Sequence, residues 1–180
     1  MRVAKFCVNE VPPLGTWAPR ERRYIAEWAE LRFPGFPKYF NVPLGPIPVS
    51  LVEELGFERA RKLYRRWRSY ADCVVVLPEK TILAEAEIRD PRNAIGDLLY
   101  YRTLVPKTLD FPGGLDKPVE YWLVTVKEFK FLERLATEQG IIVDYYDPPW
   151  LQEYIQEWKK YFSKEGAEER EIRKRLRGRL

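Results

Sequence analysis

The segment that most restricts the fold of this chain is YADCVVVLPEKTILAEAEIR, residues 70–89. Two runs of β-branched and apolar residues flank Pro78-Glu79-Lys80, a pattern typical of a β-hairpin. Because strand side chains alternate between faces, Glu85 and Glu87 must lie on the same side of the second strand. The hairpin therefore predicts a sheet with concentrated negative charge on one face.

The register of the hairpin decides which residues share that face. With a four-residue loop over 78–81, Val74 lies opposite Glu85 and Asp72 lies opposite Glu87, so three acids project to one side. A register shifted by one residue would bury Asp72 in the other face at a large desolvation cost, which favours the first register. The other face is then small or apolar throughout: Cys73, Val75, Leu77, Ile82, Ala84, Ala86 and Ile88.

Close carboxylates need compensation, because two like charges about 4 Å apart repel by roughly 4 kcal/mol at an effective dielectric constant near 20. One acid can take up a proton with a raised pKa, or a divalent cation can neutralise the group. Oxygen ligands at this spacing suit Mg²⁺ or Mn²⁺, so we predict Asp72, Glu85 and Glu87 as metal ligands, with the Ala86 carbonyl. The alternative is an ordinary salt-bridge network around Arg89, and the acids alone do not decide between the two.

Composition narrows the chemistry further. The 180 residues include no histidine and only Cys7 and Cys73 as cysteines, so neither a His/Cys zinc site nor a Cys/His catalytic pair can form. A charged fraction of 32% and 15 prolines favour a heat-adapted source. No apolar run is long enough for a bilayer and the N-terminus does not read as a signal peptide, so we expect a cytoplasmic protein with no membrane partner.

Basic residues are clustered. Residues 59–68, RARKLYRRWR, have six basic groups in ten, and residues 170–179 have six basic groups and one acid. Clustered cations with interleaved Tyr64 and Trp67 suit a polyphosphate such as nucleic acid, although a solvated helix face would have the same pattern. The predicted nucleic-acid-binding residues are Arg61, Arg65, Arg66, Arg68, Arg89 and Arg92.

The remaining elements predict an α/β chain. Before the hairpin we expect a strand at 1–8, a helix at 19–33, an irregular loop at 34–49 and a basic helix that ends at Arg68. The basic helix should start with a capping box formed by Ser50 and Glu53 and divide at Gly56. After the hairpin we expect a helix from Asp90-Pro91, a β-α-β unit at 119–146 and a last helix with a charged tail.

This order of elements resembles the core of the PD-(D/E)XK nuclease superfamily, which includes RecB-like and restriction-endonuclease-like enzymes. The likeness covers roughly residues 18–146. It implies a mixed sheet, an antiparallel hairpin plus later strands, flanked by helices. The implied organisation is a nuclease-like α/β domain at 1–147 and a C-terminal helical extension at 148–180.

The resemblance also assigns roles to individual residues. In the family an Asp and the first acid of the (D/E)-x-K element bind the metal, which implies Asp72 and Glu85 as catalytic and metal-binding residues. Glu87 stands where Lys is usual and Ala71 where Pro is usual. Some restriction endonucleases of the superfamily have Glu-x-Glu, with the second Glu proposed to handle the attacking water, so Glu87 is retained as a ligand or general base.

Two helices supply the other implied catalytic residues. The helix after the active strand in RecB-like members often has Gln and then Tyr four residues later, and Asp97 and Tyr101 occupy these places here. Tyr101 would touch DNA or orient a carboxylate. The family also tends to place a Glu on its first helix, for which we select Glu27, with Glu30 as a rival on a helix that also contains Glu21.

The expected function is hydrolysis of phosphodiester bonds, in DNA, with Mg²⁺ or Mn²⁺ as cofactor. Many such nucleases cut both strands as dimers, which makes a homodimer an expectation as well. The alternative is a catalytically silent nucleic-acid-binding protein in which the missing lysine marks a degenerate site. A third class is a protein-binding scaffold that uses the aromatic residues Trp150, Tyr154 and Trp158 of the last helix.

Overall fold

The computed structural model describes residues 20–126, 128, 130–164, 167–168 and 171–172. The strand predicted at 1–8 lies outside the described residues. The elements are α1 (Arg20–Arg32), β1 (Lys38–Leu44), α2 (Val49–Leu55), α3 (Phe57–Tyr64), a 3₁₀ turn (Arg65–Trp67), β2 (Ser69–Val76), β3 (Thr81–Glu87), α4 (Arg92–Leu104), a second 3₁₀ turn (Val105–Lys107), β4 (Val119–Thr125), α5 (Lys130–Glu138), β5 (Ile141–Tyr145) and α6 (Leu151–Phe162).

The strands form one mixed five-stranded sheet in the order β1-β2-β3-β4-β5. The pairs β1/β2 and β2/β3 are antiparallel, whereas β3/β4 and β4/β5 are parallel. The parallel pairs require crossover connections, which α4 and α5 provide. The predicted fold class, a mixed α/β sheet of an antiparallel hairpin plus later strands flanked by helices, is confirmed.

Strand β1 replaces part of the loop predicted for residues 34–49, and that prediction was wrong. Pro43 suggested a loop because proline cannot donate a backbone hydrogen bond. β1 lies at an edge of the described sheet, pairing with β2 alone, and an edge strand tolerates proline because half of its N–H groups need no strand partner.

The basic helical segment divides at Gly56 as predicted, because this residue has φ +74°, a conformation outside the helical region. The capping box predicted at Ser50 and Glu53 is wrong. Helix α2 begins at Val49, and no side chain caps its start. The backbone N–H of Val52 donates to the Pro48 carbonyl at 3.1 Å, so Ser50 already lies within the first helical turn.

The hairpin turns more tightly than predicted. The N–H of Leu77 donates to the Lys80 carbonyl at 2.9 Å, which leaves a two-residue turn. Cys73 therefore pairs with Ala84, and the neighbouring Asp72 lies opposite Glu85 rather than Glu87. Because the shift from the predicted register is two residues, every side chain keeps its predicted face. The predicted apolar face is buried, apart from the half-buried Leu77 at the turn.

Helices α1 and α4 cover opposite faces of the sheet. The ring of Trp28 in α1 lies 6.0 Å from that of Trp122, whereas the guanidinium of Arg102 in α4 lies 4.9 Å from the ring centre of Tyr121. Tyr121 and Trp122 are consecutive in β4, so their side chains point to opposite faces.

The chain divides into two compact units, one that ends at Tyr146 and one that begins at Asp147, one residue from the predicted boundary. In the second unit, the N–H of Leu151 at the start of α6 donates to the Pro148 carbonyl at 2.9 Å. Of the helices in the described ranges, none combines the length and the apolar character needed to cross a membrane.

Candidate functional site

The sheet opens between β2 and β3 to form a fork. Pairing of these strands ends at Cys73 and Ala84. Beyond that point β2 stays paired with β1 as far as Ser69, and β3 stays paired with β4 as far as Glu87. Asp72 is therefore the first residue past the end of the β2/β3 pairing.

Asp72 and Glu85 face each other at the fork. The backbone N–H of Asp72 donates to Glu85 Oε2 at 3.2 Å, and the backbone N–H of Ala86 donates to Asp72 Oδ2 at 3.0 Å. Each carboxylate thus replaces a strand-to-strand hydrogen bond and is held against the opposite backbone. The structure brings these two predicted site residues together on the face covered by α4.

Burial and neighbouring charge disfavour ionisation of both groups. Burial, followed by the negative charges of Asp72 and Asp97, raises the pKa of Glu85 to about 9, against smaller opposing effects of hydrogen bonds from the Asp72 N–H and from Tyr101. The pKa of Asp72 is also raised, mainly by burial, with Glu87 and Asp97 adding to the effect and the Ala86 N–H and Arg22 opposing it. The pair therefore holds a proton unless a cation replaces it.

Glu87 is near the pair but turned to another partner. Its Oε1 accepts hydrogen bonds from the backbone N–H groups of Arg89 at 2.9 Å and Asp90 at 3.3 Å. These two hydrogen bonds stabilise the bend between β3 and α4 and hold one oxygen of Glu87 there. Of the three carboxylates predicted to converge, Asp72 and Glu85 are the two that face each other. Among the described residues, no group of three Asp, Glu or Cys side chains is arranged to hold a metal ion.

The acid that α1 contributes to this region is Glu21 rather than Glu27. Burial raises the pKa of Glu21, and the charges of Glu87 and Asp72 raise it further against the opposing Arg89. Glu27 instead accepts hydrogen bonds from Arg23 at 2.6 Å and from the Tyr146 hydroxyl at 3.3 Å.

A sequence signal for Glu21 was present. Glu21 precedes the buried residues Tyr24, Ile25 and Trp28 of α1 by three, four and seven positions. Helical spacing therefore places Glu21 on the buried stripe of the helix. Glu30, the rival candidate, forms a salt bridge with Lys38 at 2.8 Å.

Tyr101 acts on the pair from α4. It is only 6% exposed, and its hydroxyl donates to the Tyr70 carbonyl at 2.9 Å. The same hydroxyl is also close enough to Glu85 to lower the pKa of that carboxyl. This placement fits orientation of a carboxylate, one of the two roles expected for Tyr101.

Arg68, one of the predicted nucleic-acid-binding residues, is buried within the fold. Its side chain is 1% exposed and donates to both oxygens of Asp110, at 2.7 and 3.0 Å, and to the Pro43 carbonyl at 3.0 Å. The prediction of a phosphate contact for Arg68 was therefore wrong, because the guanidinium is buried and four of its five N–H donors bind within the fold.

Of the other predicted arginines, some form salt bridges and some are exposed. Arg61 forms a salt bridge with Glu58 at 3.0 Å, Arg89 lies 3.4 Å from Glu21, and Arg92 pairs with Asp90. Arg65 and Arg66 are exposed in the 3₁₀ turn that precedes β2.

The donor set at the fork suits a hard divalent cation. Among the described residues, no Lys or Arg forms a salt bridge with Asp72 or Glu85. The backbone hydrogen bonds occupy one oxygen of each carboxylate and leave the second unused by them. Mg²⁺ commonly binds through one or two carboxylates and retains several waters, so these two residues fit Mg²⁺ or Mn²⁺.

Comparisons with known proteins add little. No family model matches the chain, and no curated protein matches it. A solved structure titled "Crystal Structure of Protein of Unknown Function AF1548" is 14% identical, with a TM-score of 0.45, over 72% of this chain and 60% of that chain. The match therefore spans three fifths of the length of that protein and contributes nothing to the functional assignment.

Proposed function

We propose that this protein is a metal-dependent nuclease that hydrolyses phosphodiester bonds in DNA at the fork between β2 and β3. The observation that supports this proposal most strongly is the half-buried, like-charged pair Asp72 and Glu85, which lacks a salt bridge within the described residues. A cation would satisfy both carboxylates at once.

Each carboxylate accepts one backbone N–H at the fork, a structural role that does not need a second negative charge. Two carboxylates at a half-buried position repel and lose hydration, which costs free energy in the folded state. A neutral amide side chain at either position could accept the same N–H without this cost. Such sites are the places where a ligand-binding role outweighs stability.

The proposed roles follow the geometry. Asp72 and Glu85 would hold Mg²⁺ or Mn²⁺, which when bound would polarise a phosphoryl oxygen and lower the pKa of a bound water. Tyr101 fixes the orientation of Glu85 from α4, and Arg89 balances the charge of Glu21 beside the fork. Glu87 could act as a base through Oε2, which its hydrogen bonds to the following bend leave unused.

Cleavage of plasmid and linear DNA in Mg²⁺ or Mn²⁺ tests the proposal. We expect Asp72→Asn and Glu85→Gln to lower the cleavage rate by at least about a hundredfold, because each removes a negative ligand. Glu27→Gln is the matched control and should cut like the unmodified protein. Equal cutting by the unmodified protein and Asp72→Asn would identify a contaminating nuclease and reject the proposal.

A second function is favoured by one observation. Glu87 replaces the usual lysine and uses its carboxylate on backbone N–H groups, as expected for a nucleic-acid-binding protein with a silent site. This alternative predicts DNA binding that weakens with salt, ignores Mg²⁺ and survives Glu85→Gln.

A further inference from the structure

An exposed tryptophan marks a surface that the carboxylate site does not use. Trp67 ends the 3₁₀ turn before β2, and 62% of its surface is exposed. The ring of Tyr64 stacks on it with centroids 5.6 Å apart and an interplanar angle of 26°. This pair forms a small aromatic platform at the protein surface.

Basic residues flank the platform along the chain. The guanidinium of Arg66 lies 5.6 Å from the centre of the Trp67 ring, and residues 59–68 contain no acid. Arg61 and Arg68 are engaged by Glu58 and Asp110. We call the other basic and aromatic side chains of this segment the Trp67 surface: Arg59, Lys62, Tyr64, Arg65, Arg66 and Trp67.

The Trp67 surface is tied to the acid-bearing face of the sheet. Tyr70 and Asp72 are two residues apart in β2, so their side chains project to the same face. The Tyr70 hydroxyl donates to the Arg65 carbonyl at 2.6 Å. Asp72 is five positions after Trp67 in the chain, a distance of at most about 17 Å at 3.3 Å per residue.

We infer that the Trp67 surface binds single-stranded DNA, with a base stacked on the Tyr64/Trp67 platform and the adjacent cations on the phosphates. Exposed aromatic rings interleaved with cations are the combination that recognises unpaired bases, since every base has a π-face and every linkage has a charge. A duplex keeps its bases stacked on one another and cannot offer them. The choice of DNA rests on the proposed function, which this inference deepens by naming single-stranded DNA as the preferred form.

Fluorescence anisotropy of labelled oligo(dT) in EDTA tests the inference without cleavage. We expect oligo(dT) to bind at least about tenfold more tightly than a duplex of equal length, and Trp67→Ala to weaken that binding about tenfold. Trp67→Phe, which retains a stacking ring, should recover most of the affinity. Phe131→Ala removes another exposed ring, 80% accessible on α5, and should bind like the unmodified protein.

Equal affinity for duplex and single strand, tighter binding of oligo(U) than of oligo(dT), or unchanged binding by a folded Trp67→Ala would each overturn the inference. Thermal melting shows whether the variants are folded, which an exposed position permits. Because the assay contains no divalent metal, a protein that binds oligo(dT) through Trp67 but never cuts DNA would reject the nuclease proposal and retain this one.

Discussion

Two pairs of buried or half-buried charged side chains on neighbouring parts of the sheet balance their charges differently. Arg68, just before β2, pairs with Asp110 through two hydrogen bonds of 2.7 and 3.0 Å. Asp72, four residues later, faces Glu85, whose pKa is raised to about 9 by burial and by like charge. The first pair carries its own neutralising charge, whereas the second needs a proton or a cation. The first therefore stabilises the fold, and the second is the pair that we propose binds a cation.

Removal of Arg68 should have the largest effect. In Arg68→Met, Asp110, whose side chain is 14% exposed, keeps only the longer 3.9 Å contact with Arg61, so the loss should approach the roughly 3–5 kcal/mol of a broken buried pair. Urea denaturation should show this loss in the free energy of unfolding. Arg65→Met, at an exposed position before the same strand, should change it by less than about 0.5 kcal/mol. Equal losses in both variants would remove the distinction between the two pairs.

Loss of the charge on Glu85 should act in the opposite direction. Because its folded pKa lies near 9 and its ordinary value is 4.5, the folded metal-free protein binds more protons than the unfolded chain between these pH values. The contribution of Glu85 to the free energy of unfolding is therefore complete below about pH 4.5 and is lost as the pH rises towards 9. We expect Glu85→Gln to flatten this decline and to be more stable at pH 9 by on the order of 2 kcal/mol.

Denaturant midpoints measured in EDTA across this pH range check the result. Glu58→Gln, which removes an exposed acid on α3, is the control and should keep the slope of the unmodified protein. A slope unaltered by Glu85→Gln would mean that the carboxyl is ionised in the metal-free fold.

Metal binding should displace the proton held by the pair. Between about pH 5 and pH 9 the affinity for Mn²⁺ should rise about tenfold per pH unit, since one proton leaves for each ion bound. Calorimetry in two buffers of different ionisation enthalpy counts the protons. Asp72→Asn should abolish the binding, and uptake of Mn²⁺ without proton release would show that the pair was already ionised.

Tyr101→Phe should have the smallest effect of these changes. It removes the hydroxyl that donates to the Tyr70 carbonyl and lowers the pKa of Glu85. We expect a loss of about 1 kcal/mol of stability and a further rise in the Glu85 pKa, so that metal binding shifts to higher pH. A stability loss without any pH shift would assign Tyr101 to packing alone.

The sequence predicted strands β2 to β5 and the shared face of Asp72 and Glu85, because the alternation of side chains along a strand does not depend on the exact register. The hairpin register was wrong by two residues, yet Asp72 and Glu85 kept their face because an even shift preserves it. Helical spacing likewise gave the positions of α1, α4 and α5. Edge strand β1 was not predicted, because the five prolines and two glycines of residues 34–49 are typical of a loop.

Partners distant in the sequence could not be predicted. Arg68 resembles its exposed neighbours in RARKLYRRWR, and only the fold reveals Asp110, 42 residues away. Glu87 belongs to the predicted acid face, but the bend after β3 supplies N–H groups that draw its carboxylate away. Glu21 was open to prediction, because the buried stripe of α1 includes it.

The fork has a mechanical consequence. Past Cys73 and Ala84, each hairpin strand follows a different neighbour, β2 with β1 and β3 with β4. The gap between Asp72 and Glu85 is thus set by how far two halves of the sheet diverge, and sheet twist controls that divergence. Substitutions far away in β1 or β4 that alter the twist would increase or decrease the distance between the two carboxylates at the proposed ion site, without contacting either side chain.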